Sequence, residues 1–202
     1  MIKRISLFLI LFVCCLGFAR AEPRILVLGD SLSAAYGIDQ KNGWVELLQQ
    51  RLKEQGYPYL VINTSISGET TAGGLSRFDR ELERHKPSIA IIALGANDGL
   101  RGLSLQSMRE NLATLIEKSK QNASKVLLVG MHLPPNYGPA YSRAFHQIYT
   151  DLGERYEVPL VPFLLEGVGE DKALFQSDGL HPAAEAQPRI LENVWSQLKH
   201  ML

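Results

Sequence analysis

Cysteine is nearly absent from this chain. The only two, Cys14 and Cys15, lie inside an apolar N-terminal run, so from residue 22 onward there is neither a disulfide framework nor a thiolate metal cluster. Membrane-spanning runs are missing too: the longest apolar stretch, residues 5–19, is 15 residues long, and a span takes about 20. Charge of one sign is equally lacking, with 21 basic residues against 21 acidic ones. Nothing therefore draws the chain electrostatically to nucleic acid or to an anionic bilayer. Repeats, low-complexity tracts and charge runs that would mark a linker are also absent.

What is present begins with the N-terminus. Lys3 and Arg4 precede the apolar run, and Ala19-Arg20-Ala21 has the small-x-small form of a cleavage site, so residues 1–21 read as a secretory signal. Phe12 and Val13 before the cysteines are not the small residues of a lipoprotein signal, and no stable membrane anchor is expected. Removing 21 of the 202 residues leaves 181, enough for one domain with a substantial core, and 18 basic residues against 21 acidic ones, a net charge near −3.

Across residues 22–202, apolar runs rich in β-branched residues alternate with amphipathic segments. Strands are expected at 24–28, 59–63, 88–94, 125–132 and 158–161, continuous in hydrophobicity as strands covered on both faces are. Trp44, Leu47, Leu48 and Leu52 recur at helical spacing and stop at Gly56; Leu105, Met108, Leu112, Leu115 and Ile116 form a second stripe. Tyr141, Phe145, Ile148, Tyr149 and Leu152 form a third, and Leu191, Val194, Trp195 and Leu198 close the chain. Such alternation predicts an α/β fold with a parallel sheet and right-handed crossovers, which binds ligands beyond the carboxyl ends of its strands.

The loops at those ends carry the unusual residues. Ser31, in Gly29-Asp30-Ser31-Leu32-Ser33, follows the first strand, where its hydroxyl can face solvent at the start of a helix; the ordinary role of such a serine is an N-cap. Gly68, within Ser67-Gly68-Glu69-Thr70-Thr71, lets a backbone N–H approach a substrate oxygen, although a turn before a capped helix looks the same. Asn97, in Gly95-Ala96-Asn97-Asp98-Gly99, offers an amide donor, or a plain turn. Asp178 and His181 are three apart, a spacing that brings carboxylate and imidazole together. His132, at a strand end, is the competing imidazole.

Gly29-Asp30-Ser31-Leu32, Gly68, Gly95-Ala96-Asn97-Asp98 and Asp178-Gly179-Leu180-His181-Pro182 together resemble the ordered blocks of the SGNH, or GDSL, hydrolases. Residues 67–74, Leu133-Pro134-Pro135-Asn136-Tyr137-Gly138 and residues 158–163 are similar to the secreted branch that combines thioesterase, arylesterase and lysophospholipase activity. The resemblance implies a three-layer, flavodoxin-like fold with a five-stranded parallel sheet between helices. It further implies Ser31 as nucleophile, His181 as general base and then acid, and Asp178 as its orienting carboxylate. Ser31 N–H, Gly68 N–H and the Asn97 amide would form the oxyanion hole.

The implied reaction is hydrolysis of small-molecule acyl esters, acyl thioesters or lysophospholipids through an acyl-enzyme, by a monomeric periplasmic or secreted protein. Neither a cofactor nor a metal is called for. Activity is expected to rise with pH as His181 loses its proton. Leu100, Leu103, Pro134 and Tyr137 are the expected apolar walls of the substrate cleft. A carbohydrate O-deacetylase of the same superfamily and a non-catalytic lipid-binding protein remain the alternatives.

Overall fold

The computed structural model describes residues 22–202; the expected signal segment, 1–21, lies outside them. β1 (Arg24–Gly29) is buried from Ile25 on, because a sheet covered on both faces accepts apolar side chains at every position. β3 (Ile89–Ala93) and β4 (Lys125–Val129) follow the same rule. β2 (Leu60–Asn63) pairs outside β1 and β5 (Leu160–Val161) outside β4, so five parallel strands lie in the order β2-β1-β3-β4-β5. This is the flavodoxin-like order of a doubly wound sheet.

Helices cover the two faces. α1 (Trp44–Glu54) packs on α6 (Gln187–Leu198). α4 (Leu105–Gln121) lies between α2 (Thr71–His85) and α5 (Pro139–Tyr156), completing the third layer. A five-residue helix, α3 (Ala96–Leu100), leaves β3 directly. The stripe from Trp44 to Leu52 faces the core, and α1 ends one residue before Gln55, with Gly56 at φ +74° turning the chain away as its place past the helix end predicts.

Two strand expectations fail for physical reasons. β2 is an edge strand, with Leu60 and Asn63 exposed, so it is not covered throughout. β4 ends at Val129 instead of running to His132. Its partner β5 is only two residues long: Gly130 N donates to Val161 O at 2.8 Å, but the donor returning to Gly130 O is Leu164 N at 3.0 Å, one residue past the regular position, so the ladder slips out of register there. Residues 131–134 are thereby released from the sheet to form a wall at its carboxyl edge.

The strand order places the site. β1 and β3 are neighbours, with Gly29 in register with Ala93, while their crossovers leave in opposite directions along the sheet. The crevice at that switch point lies between the loop carrying Ser31 and the helix carrying Asn97.

Candidate active site

Ser31 does not begin a helix, nor does it cap one. The carbonyl of Asp30 accepts from Ser33 N at 3.1 Å and Ala34 N at 2.9 Å, forming one helical turn. Ala35 (φ 57°) and Gly37 (φ 74°) then break it, and the first α-helix waits until Trp44. The Asp30 carboxylate accepts from Leu32 N at 3.0 Å, so Ser31 sits at the tip of an Asx-type turn. Its Oγ lies 2.9 Å from His181 Nε2.

The imidazole is set by its own loop. Asp178 Oδ1 accepts from the backbone N–H groups of Leu180 (2.9 Å) and His181 (3.0 Å), while Oδ2 lies 2.7 Å from His181 Nδ1. These bonds, the His181 backbone N–H foremost, hold the Asp178 carboxyl at about 2. A carboxylate against Nδ1 keeps the proton there and leaves Nε2 as the acceptor for the serine hydroxyl. The Tyr36 ring lies on His181 at 4.5 Å between centroids. Gln176 fastens the two loops together: its Nε2 donates to Tyr36 O (2.8 Å) and Pro182 O (3.1 Å), and its backbone N–H donates to His181 O (2.8 Å).

Donors converge on the space beside Ser31. Gly68 has φ +78°, a left-handed conformation costly to other residues, in a short turn before α2. Among the described residues no backbone carbonyl accepts from Ser31 N–H or Gly68 N–H, and both residues line the same cavity. Asn97 is in α3 rather than in a turn. Its Nδ2 donates to Glu69 O at 3.0 Å and, at 3.4 Å, toward Asp30 Oδ2. Asp30 is buried beneath this cluster, and desolvation pushes its carboxyl up to about 6. An alcohol beside an imidazole, an oriented carboxylate and two uncommitted N–H groups can carry out acyl transfer.

The cavity measures about 880 Å³ and extends from Ser31 along a mainly apolar wall. Leu100 and Pro134 line it, together with Met131, Leu133 and Pro135. Leu103 and Tyr137, expected on the same wall, are corrected. Gly102 (φ 64°) turns the chain outward so that Leu103 is 43 % exposed, and the Tyr137 hydroxyl is drawn behind Leu100, donating to its carbonyl at 2.9 Å. His132 also faces the cavity but stacks on His146 at 3.8 Å and makes no contact with Ser31; burial pushes its pKa down. Among the described residues no cluster of three His, Cys, Asp or Glu side chains could hold a metal ion.

Sequence reasoning missed Asp30, Gln176 and Arg101. Asp30 stood inside the first block as a neighbour of Ser31, and its burial was the overlooked signal. Gln176 and Arg101 carry no local signature, because each matters through one partner far along the chain, Tyr36 for Gln176 and Gly68 for Arg101.

Residues 27–188 match the profile described as the GDSL-like Lipase/Acylhydrolase family. The chain is 51 % identical over 182 residues to "Esterase TesA" of Pseudomonas aeruginosa, covering 90 % of each. It is 38 % identical over 193 residues to "Thioesterase 1/protease 1/lysophospholipase L1" of Escherichia coli, covering 95 % of this chain and 91 % of the relative. The crystal structure of the psychrotrophic esterase EstA from Pseudoalteromonas sp., inhibited by monoethylphosphonate, superposes with a TM-score of 0.84 at 42 % identity. That match covers 88 % of this chain and 97 % of the other.

Proposed function

Because this chain belongs to the GDSL-like lipase/acylhydrolase family and is a hydrolase of ester bonds, we propose that it works through a Ser31-His181-Asp178 triad on acyl esters and thioesters. One observation carries the reading: His181 bridges Ser31 Oγ at 2.9 Å and Asp178 Oδ2 at 2.7 Å. As Ser31 Oγ attacks the carbonyl carbon, its proton passes to His181 Nε2, and the Asp178 carboxylate steadies the imidazolium that results. The carbonyl oxygen, now negative, is taken by Ser31 N–H, Gly68 N–H and the Asn97 amide. The departing alcohol or thiol leaves with the proton from His181. Water then gives its proton to His181 as it attacks the acyl-enzyme, and the acid leaves with Ser31 restored.

The apolar length of the cleft favours an acyl chain over an acetylated sugar, which extends the reading to thioesters and lysophospholipids of medium or long chain. The A-x-A segment at 19–21 supports export, with residues 22–202 as the single catalytic domain, and no described helix is long and apolar enough to cross a membrane. The test is Ser31→Ala assayed on p-nitrophenyl esters, acyl-CoAs and lysophospholipids of graded length, with fluorophosphonate labelling. Loss of turnover and of labelling in a folded protein is expected. Turnover retained by Ser31→Ala would overturn the triad, and acetyl esters outperforming octanoyl ones would overturn the substrate class.

A further inference from the structure

We infer that Arg101 is a positioning residue for the oxyanion hole, holding the Asn97 amide and the backbone of Gly68 in their donating geometry. Arg101 follows the last residue of α3, and its backbone N–H donates to Asn97 O at 3.1 Å. Its guanidinium Nη2 donates to Gly68 O at 2.8 Å and lies 3.4 Å from Asn97 Oδ1. A Cβ on Gly68 would stand 3.3 Å from that same Nη2, so the guanidinium packs directly against the glycine. The inference rests on the oxyanion hole proposed above, and it names what keeps two of its donors in place.

The physical need is specific. A primary amide is nearly symmetric about its last torsion, and a half-turn would aim Oδ1, instead of Nδ2, at the developing oxyanion. A cation at Oδ1 opposes that half-turn, since it would then meet the Nδ2 donor. Glu69 O secures the other end of the amide at 3.0 Å. The Glu69 carboxylate is occupied by Arg77 at 2.8 Å, and among the described residues Arg101 has no acidic partner. The guanidinium is spent on two neutral oxygens, one in the Asn97 amide and one in the peptide that follows the Gly68 N–H, both on the residues that carry the donors. Arg101 does not line the cavity, so its effect on the reaction passes through Asn97 and Gly68.

Arg101→Ala is expected to lower kcat about 10-fold, the effect of one charge-assisted hydrogen bond lost, with KM for a neutral octanoyl ester and the unfolding midpoint unchanged. Arg101→Lys should recover part of the loss, because its charge is kept but its shorter stem holds the ammonium farther from both oxygens than Nη2 stands. Made in an Asn97→Ala background, Arg101→Ala should cost less than about 3-fold, since most of its action has already been removed. Unchanged kcat in Arg101→Ala, a loss appearing in KM alone, or the same 10-fold loss in both backgrounds would overturn the inference. Asn97→Ala with wild-type kcat would instead sink the oxyanion hole itself, so the two failures are distinguishable.

Discussion

Asp30 precedes Ser31 and Asp178 is linked to it through His181, and their surroundings drive the two carboxyls in opposite directions. Asp178 accepts three hydrogen bonds at the surface and is held at about 2, so its stabilising contribution is complete above its ordinary 3.8 and is lost as pH falls through about 2. Asp30 is buried, and its carboxyl rises from 3.8 to about 6. Between those values the folded protein keeps a proton that the unfolded chain has released, so this group makes folding less favourable as pH rises through the window. Above it the penalty is constant, on the order of 3 kcal/mol. Asp30→Asn keeps an oxygen to accept from Leu32 N and removes the charge, at the loss of the 3.4 Å acceptor for Asn97 Nδ2, which does not vary with pH. Its stability relative to wild type should be highest near pH 7.5 and fall by about 3 kcal/mol toward pH 4, as followed by urea unfolding across that range. A difference that does not vary with pH would contradict the assignment.

At the scale of elements, what matters is how α2, α3 and α4 are locked together under the loops. Asp98, in α3 and buried, accepts from Thr71 N at 2.9 Å and Thr71 Oγ1 at 2.6 Å, while Asn111 of α4 donates to the same hydroxyl at 3.1 Å. This bond network keeps the Gly68 turn, just ahead of α2, against the Asn97 end of α3. Asp98→Ala leaves the Thr71 donors buried without an acceptor and should cost about 3 kcal/mol in urea unfolding. The end of α3 also shapes the substrate wall, because Leu100 faces the cavity and Leu103 faces solvent. Leu100→Trp should lower kcat/KM for dodecanoyl esters about tenfold relative to butanoyl esters, whereas Leu103→Ala should leave that ratio unchanged in the same assay.

Across the whole molecule, the first and last α-helices are tied to each other. Gln187 Oε1, at the start of α6, accepts from Trp44 N at the start of α1 at 3.1 Å, a buried contact between residues 143 apart. Gln187→Leu keeps the volume but strands that N–H, and a loss of about 1–3 kcal/mol is expected from thermal unfolding, without a change in KM because the contact is not at the cavity. This closure sits on the α1–α6 layer, so the loops around Ser31 and His181 at the carboxyl edge are built on a sheet held by contacts away from the cavity.

The fold class and the order of the chemical blocks were written in the sequence, because burial on both faces forces unbroken apolar strands and the blocks sit just after them. Ser31, Gly68, Asn97, Asp178 and His181 were legible for the same reason: each lies in a short, unusual run of residues. What the sequence could not carry is anything set by partners far along the chain. Whether Leu103 or Leu100 meets the cavity depended on one left-handed glycine at 102, and the length of β4 depended on where its pairing with β5 slips out of register after Val161. The charge state of Asp30 and the tasks of Gln176 and Arg101 depended on neighbours brought in by the fold. Local periodicity records which side of an element is buried; only the packed structure decides which polar groups are left facing one another there.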